Sequence, residues 1–331
     1  MPILPSRPPS PSGPAPRPED LARLDRLREL FLDERRGERP LADYWRDAKD
    51  LAAYDAVLAA RIGWKWDAAL REAVDRGFAM PGEHTTVLDF GCGSGIAAAR
   101  VANLAPRARF LLHDRSPEAM RFAQQRLAKL GMQAARQPEV GELAPDLLLV
   151  SHVLGELDHD GTKHLESLLR RSRSALFVEP GNAVTARRLA HLRDAVLDAF
   201  VPVAPCPHAH ACPTLAAPNE WCHFFAPPPP EVFTDGAWVI TARELGIDLR
   251  SLPYSCLALV RRDVATASPS LAALPAPAHR LLSRPDVDKH DATLRACLQD
   301  GTLSQLRVTK RAQPDLFKTL RKGKELLRTL P

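Results

Sequence analysis

The stretch from Thr85 to Gly95, TTVLDFGCGSG, constrains this chain more than any other, because a short apolar run stops at three alternating glycines and an alanine-rich helical segment starts at once. Glycine accepts the left-handed backbone that a tight strand-to-helix turn demands, and it lets a ligand approach the main chain and the helix N-terminus. The alternation then repeats. ARFLLHD reads as a strand, SPEAMRFAQQRLAKLG as a helix with Ser116 at its N-cap and Pro117 at its first position, and MQAAR, DLLLVSHVLGEL and SALFVEPG as further strands, with a helix near residues 162–172. This order predicts an α/β fold, a doubly wound parallel sheet with its ligand beyond the carboxyl ends of the strands. Residues 187–200 are expected to form another helix, and WVITARELG and SLPYSCLALVRRD two late strands.

Around this sheet domain, assigned to residues 81–263, the character of the chain changes. Residues 1–17 are too rich in proline and serine for helix or sheet and are expected to be a disordered tail. Residues 18–80 place Leu21, Leu24, Leu27, Leu30 and Leu32 along one side and predict two or three packed helices, with Tyr44, Trp45, Trp64 and Trp66 serving packing. Residues 264–278 read as a low-complexity linker, and residues 279–331 as an extension with two alternating strands around Asp300-Gly301, a hairpin signal. From Gly301 onward eight Lys or Arg face two acidic residues, a net of +6 against +5 for the whole chain, so the remainder is near neutral. A one-sided cationic field suits nucleic acid; a solvated helix face is the bland alternative.

At 331 residues there is ample core for one large or two medium domains. No apolar run approaches the roughly 18 residues of a membrane helix, and no signal-peptide layout is present, so a reducing compartment is expected. In such a compartment clustered thiols point to metal or catalysis rather than disulfides. PCPHAHACPTLAAPNEWCHFF holds three of the six cysteines, Cys206, Cys212 and Cys222, and this cysteine-rich insertion reads as a metal-binding segment stiffened by Pro207 and Pro213. Zinc or a [4Fe–4S] cluster needs a fourth ligand. Cys256 lies in an apolar strand, whereas Cys297 lies beside the hairpin turn and is favoured; His208, His210 or His223 would instead complete a Cys3His zinc site.

Asp114 ends the second strand, 23 residues after Gly91, where a carboxylate can accept hydrogen bonds from ribose hydroxyls. A nicotinamide dinucleotide enzyme would also place an acid there. VLDFGCGSG, however, resembles the first motif of class I S-adenosylmethionine (SAM)-dependent methyltransferases, which implies a cofactor site at Asp89, Gly91, Gly93, Gly95 and Asp114. The reaction itself is less legible. The place after the fourth strand reads SHVLGE, without the Pro-Pro-aromatic signature of amino-group methylation, and the only Pro-Cys pair, Pro205-Cys206, comes too late for a pyrimidine-methylating nucleophile. His152, Glu156 and Glu179 are candidates for base or substrate contact, each equally readable as a structural hydrogen-bonding residue. No catalytic residue is assigned, and a metal-dependent redox enzyme finds no electron-partner feature.

LDFGCGSG, HDRSPEAM, SHVLGEL, FVEPGN, APCPHAHACP and WCHF together closely resemble a family of methyltransferase-like ribosomal small-subunit assembly factors of bacteria and mitochondria, over about Leu51 to Lys310. The resemblance implies a class I methyltransferase fold and binding to small-subunit ribosomal RNA in the cytoplasm of a bacterium or the mitochondrial matrix. It also implies a [4Fe–4S] cluster on Cys206, Cys212, Cys222 and Cys297. A monomeric assembly factor is the first reading and an active rRNA methyltransferase the second.

Overall fold

The computed structural model describes residues 17–32, 43–267, 278–322 and 328–329. Expectations for residues 1–16 and for most of the linker therefore lie outside the described residues. Helices α1 (Pro18–Leu32), α2 (Ala48–Tyr54) and α3 (Ala60–Asp75) come first, α2 passing into α3 through a π turn at Asp55–Ala59. Asp47 caps α2 by accepting from the N–H groups of Lys49 and Asp50. Trp64 and Trp66 are buried in the main core, as their apolar surface favours.

The α/β domain follows: β1 (Thr86–Phe90), α4 (Ile96–Ala102), β2 (Arg109–His113), α5 (Pro117–Lys129), β3 (Ala134–Arg136), β4 (Leu147–Ser151), α6 (His159–Arg171), β5 (Ser174–Pro180), α7 (Ala183–Ala195) and β6 (Phe200–Ala204). Ser116 accepts from the Ala119 N–H at the start of α5, with Pro117 next to it. Then come β7 (Phe224–Phe225), α8 (Gly236–Glu244), β8 (Pro253–Arg261) and α9 (Arg262–Thr266). The sheet order is β3-β2-β1-β4-β5-β8-β6, with β7 on β8. β1 to β5 run parallel, and β8 wedges between β5 and β6 antiparallel to both. This is a Rossmann-like α/β fold around a mostly parallel sheet. Period-two alternation splits the core: Val87, Leu112, Leu149 and Val178 pack with α3, α4 and α5, and Leu88, Leu111, Leu148 and Phe177 with α6 and α7.

The chain ends in β9 (His279–Leu281), β10 (Asp286–Val287), β11 (Asp291–Leu298), β12 (Leu303–Thr309) and α10 (Pro314–Lys322). β11 pairs antiparallel with the other three strands, and Ala292, Leu294, Ala296 and Val308 pack under Phe317 and Leu320 of α10. A buried bidentate ion pair joins this sheet to α3: Arg280 Nε reaches Glu72 Oε1 at 2.7 Å and its terminal nitrogen reaches Oε2 at 2.9 Å. Arg280 also lies 3.9 Å over the Phe224 ring.

Two expectations are corrected. WVITARELG is helical, not a strand: Asp235 caps α8, and Trp238, Thr241 and Ala242 turn inward at helical spacing while Val239 and Ile240 face outward. The helix expected at residues 187–200 begins at Ala183 and stops at Ala195, and Phe200 opens strand β6, where it is fully buried against β8.

Candidate functional site

The turn after β1 carries Gly91, Gly93 and Gly95, all with positive φ (71°, 49° and 73°). At Gly93 nothing lies within 4 Å of where a Cβ would stand, so the backbone there is open to a ligand. Asp114 holds the loop: its Oδ2 accepts from the Gly93 N–H at 2.9 Å and its Oδ1 from the Ser116 N–H at 2.9 Å. Each oxygen keeps a lone pair for a hydroxyl donor. Burial raises the Asp114 carboxyl, against the pull of those two N–H bonds. Asp89 is fully buried, and its Oδ2 accepts from the Ala98 N–H at 3.2 Å while its Oδ1 has no hydrogen-bond partner. Burial pushes Asp89 up to about 8, with Asp114 adding to the effect. A cationic donor against Oδ1 would satisfy it.

Across the mouth, β4 ends at Ser151, whose Oγ accepts from Trp66 Nε1 at 2.9 Å. His152 follows with φ at 59°, unusual for a residue with a side chain, and its N–H donates to the Val178 carbonyl. Lys65 Nζ lies 3.4 Å from His152 Nε2, and burial lowers the amine to about 7, with Arg61 adding to it and Glu179 opposing. Glu179 is fully buried and accepts from the Val153 and Leu154 N–H groups, so it shapes the loop after β4. Glu156 meets the Tyr44 hydroxyl at 3.4 Å and Arg115 at 3.9 Å. Lys65 was not a candidate from sequence, and Tyr44 read as packing. Both face partners roughly 85 to 110 positions away, for which local pattern carries no signal.

The cysteines occupy a second locus behind α7. Cys297 Sγ lies 3.1 Å from His208 Nε2, although 89 residues separate them. The hairpin tip touches the same segment, since a Cβ on Gly301 (φ 84°) would stand 3.0 Å from the His210 Cβ. Burial pushes the Cys297 thiol up to about 12, with Cys206 and Cys212 adding to it. Cys222 is held well above the usual thiol range by burial and by the same two neighbours. Burial raises Cys206 too, opposed by Arg193, whose Nε donates to the sulfur at 3.2 Å. Cys212 Sγ meets Thr214 Oγ1 at 3.2 Å. Cys206 and Cys212 thus lie near enough to act on both Cys222 and Cys297, and Cys256, in β8 opposite Val178, is likewise influenced by Cys206 and acts on Cys222. His223 instead stacks on Trp221. Among the described residues no three His, Cys, Asp or Glu are arranged to hold a metal ion. No helix among them is long and apolar enough to cross a membrane.

Comparison with known proteins adds the following. The chain is similar to magnesium protoporphyrin IX methyltransferase from Synechocystis PCC 6803 solved with bound SAM (13% identity, 73% of this chain and 97% of that one, TM-score 0.40). It is similar too to the plantazolicin methyltransferase BpumL in complex with SAH (12% identity, 73% and 100%, TM-score 0.42). A third structure is precorrin-6y C5,15-methyltransferase from Geobacter metallireducens GS-15 (12% identity, 59% and 86%, TM-score 0.38). No curated protein matches. The profile of the family described as mitochondrial small ribosomal subunit Rsm22 matches residues 59–324, spanning both the glycine loop and the cysteine segment, and the chain belongs to that family.

Proposed function

We propose that this protein is a monomeric assembly factor that binds immature small-subunit ribosomal RNA through its basic C-terminal extension, on a methyltransferase-like platform that carries SAM and a [4Fe–4S] cluster. The observation that carries the reading is the meeting of two distant regions: Cys297 lies against His208, and the hairpin tip against His210. An inorganic centre there fastens the cationic extension to the sheet domain.

The SAM site is read from acceptor oxygens and an open stretch of backbone. Asp89 Oδ1, buried without a partner, suits the amino group of the methionine moiety, the open backbone at Gly93 suits close approach between Gly91 and Gly95, and Asp114 keeps acceptor capacity for the ribose. When bound, SAM supplies an electrophilic methyl group. The cluster is preferred to zinc on donor chemistry. Cys206, Cys212, Cys222 and Cys297 would supply four thiols, the ligand number a [4Fe–4S] core takes. Iron and acid-labile sulfide in anaerobically purified protein support this choice; stoichiometric zinc in colourless protein reverses it.

A second reading, an active rRNA methyltransferase, is favoured by Lys65 and His152 at the end of β4. A lysine near neutrality can take a proton from an acceptor group at Nζ. Incubation with labelled SAM and immature small subunits separates the two readings. Label appearing in RNA, and lost in Asp89→Ala, establishes turnover; its absence from RNA alongside tight subunit binding leaves the assembly role.

A further inference from the structure

The stretch leading into β7 turns successive side chains to opposite sides, as extended backbone does. On the inner side, Phe224 is buried under the Arg280 guanidinium and meets Tyr254 edge to face, while the Cys222 carbonyl accepts from Ser255 Oγ at 2.7 Å. Trp221, His223 and Phe225 fall on the other side, and each stays partly exposed. Their rings form a continuous row. Trp221 and His223 are stacked, with centroids 4.9 Å apart and planes 22° from parallel, and Phe225 meets His223 edge to face at 5.6 Å. Trp221 Nε1 donates to the Gly181 carbonyl at 3.0 Å, and His223 Nδ1 lies 3.2 Å from the Trp221 carbonyl, so the rings are oriented before any ligand arrives. Gly181 directly follows β5, and β7 pairs with Pro253 and Tyr254 at the start of β8. The row therefore opens at the carboxyl edge of the sheet, the edge that also carries the glycine turn after β1.

A cation stands at the Phe225 end of the row. Arg284, between β9 and β10, is exposed and lies 4.0 Å over the Phe225 ring. It donates to the Arg250 carbonyl at 3.4 Å, and among the described residues no carboxylate pairs with it. At the Trp221 end, Arg295 is already met by Glu220 at 3.1 Å. The row thus offers π faces beside one unpaired positive charge. Unpaired bases joined by phosphates match both, whereas a duplex hides its base faces and a proline-rich peptide brings no negative charge. We infer that Trp221, His223, Phe225 and Arg284 form a stacking site for a single-stranded segment of RNA, the rings taking bases and Arg284 a phosphate. This inference rests on the RNA-binding reading above and gives it a contact separate from the lysines and arginines after Gly301.

The test uses the full chain as wild type, Phe225→Leu, Arg284→Gln and, as a control, Phe233→Leu, an exposed ring outside the row. Each is titrated into fluorescein-labelled single-stranded oligoadenylate, into its duplex with oligouridylate, and into immature small-subunit RNA, over a range of salt. Phe225→Leu keeps an apolar side chain but no π face, so affinity for the single strand falls about tenfold with the salt slope unchanged. Arg284→Gln lowers that slope by about 0.7, the share of one phosphate on a single strand. Phe233→Leu binds as wild type does, and the duplex binds more weakly than the single strand throughout. Phe225→Leu equal to wild type, or an equal loss in Phe233→Leu, overturns the inference, as does a duplex bound as tightly as the single strand. Should Phe225→Leu fail to fold, wild type is photocrosslinked to a single strand carrying 4-thiouridine and the adducts are mapped. Adducts on residues 221–225 support the site; adducts confined to other residues, or none, refute it. Wild type that binds no immature small-subunit RNA removes the RNA reading itself. Wild type that binds this RNA, with Phe225→Leu its equal on the single strand, removes the stacking site alone.

Discussion

Asp89 is the residue whose substitution reports most directly on the glycine-loop pocket. Its carboxyl is buried with Oδ1 unpartnered, and it titrates near 8 in the folded protein against 3.8 for a free aspartate. The folded pKa is the raised one, so the unfolded chain releases this proton first. Folding stability is therefore whole below about pH 4 and is lost progressively as pH rises toward 8. At about 1.4 kcal/mol per pH unit, the interval between the two values bounds the loss near 6 kcal/mol, of which about 4 falls between pH 5 and pH 8. Asp89→Asn keeps an acceptor for the Ala98 N–H and never ionises. At roughly 2 °C per kcal/mol for a chain of this size, its melting temperature should exceed that of wild type by about 8 °C more at pH 8 than at pH 5. Scanning calorimetry of both proteins across that range measures the difference. Titration with SAM should move the opposite way: wild-type affinity climbs with pH as the carboxylate forms, and Asp89→Asn binds weakly throughout. A melting difference that does not change with pH would refute the assignment of an ionisable, unsatisfied Asp89.

Lys65 behaves inversely, because its folded pKa lies below the unfolded value. Lys65→Met should stabilise the protein most at and below pH 7, with the gain fading toward pH 10.5, as thermal melts at pH 6 and 10 can show. Removing one partner of the buried pair, as Glu72→Gln, should cost about 3 to 5 kcal/mol in denaturant unfolding, and a loss under about 1 kcal/mol would contradict its burial. Replacing Lys310, Arg311, Lys318 and Arg321 with alanine should flatten the salt dependence of small-subunit RNA binding by roughly 0.7 to 0.9 for each phosphate that is no longer neutralised. An unchanged slope would take these side chains out of the interface.

Much of this arrangement is readable where local chemistry and tertiary structure agree. Ser116-Pro117 starts a helix in any context, and Asp300-Gly301 turns the chain between β11 and β12, with Gly301 at positive φ. Reading fails where the two conflict. Val239, Ile240 and Thr241 form a β-branched run that suits a strand, yet an aspartate cap and the inward faces of Trp238 and Ala242 make it helix. Residues 196–200 look like the end of a helix because the partner of β6, β8, lies more than fifty residues on. In the site, Asp89 and Asp114 stand at fixed offsets from the glycines and are legible. Lys65, Arg193 and Arg280 are not, since their roles are set by contacts with His152, Cys206 and Glu72 that no periodicity encodes.

The Glu72–Arg280 pair also orders events during synthesis. Glu72 emerges 208 residues before Arg280, so a nascent chain with a completed nucleotide-type sheet still carries a bare carboxylate on α3, facing water. Docking of β9 on α3 through this pair therefore cannot precede the synthesis of Arg280. It seals that carboxylate only after Arg280 has been made, 208 residues after Glu72.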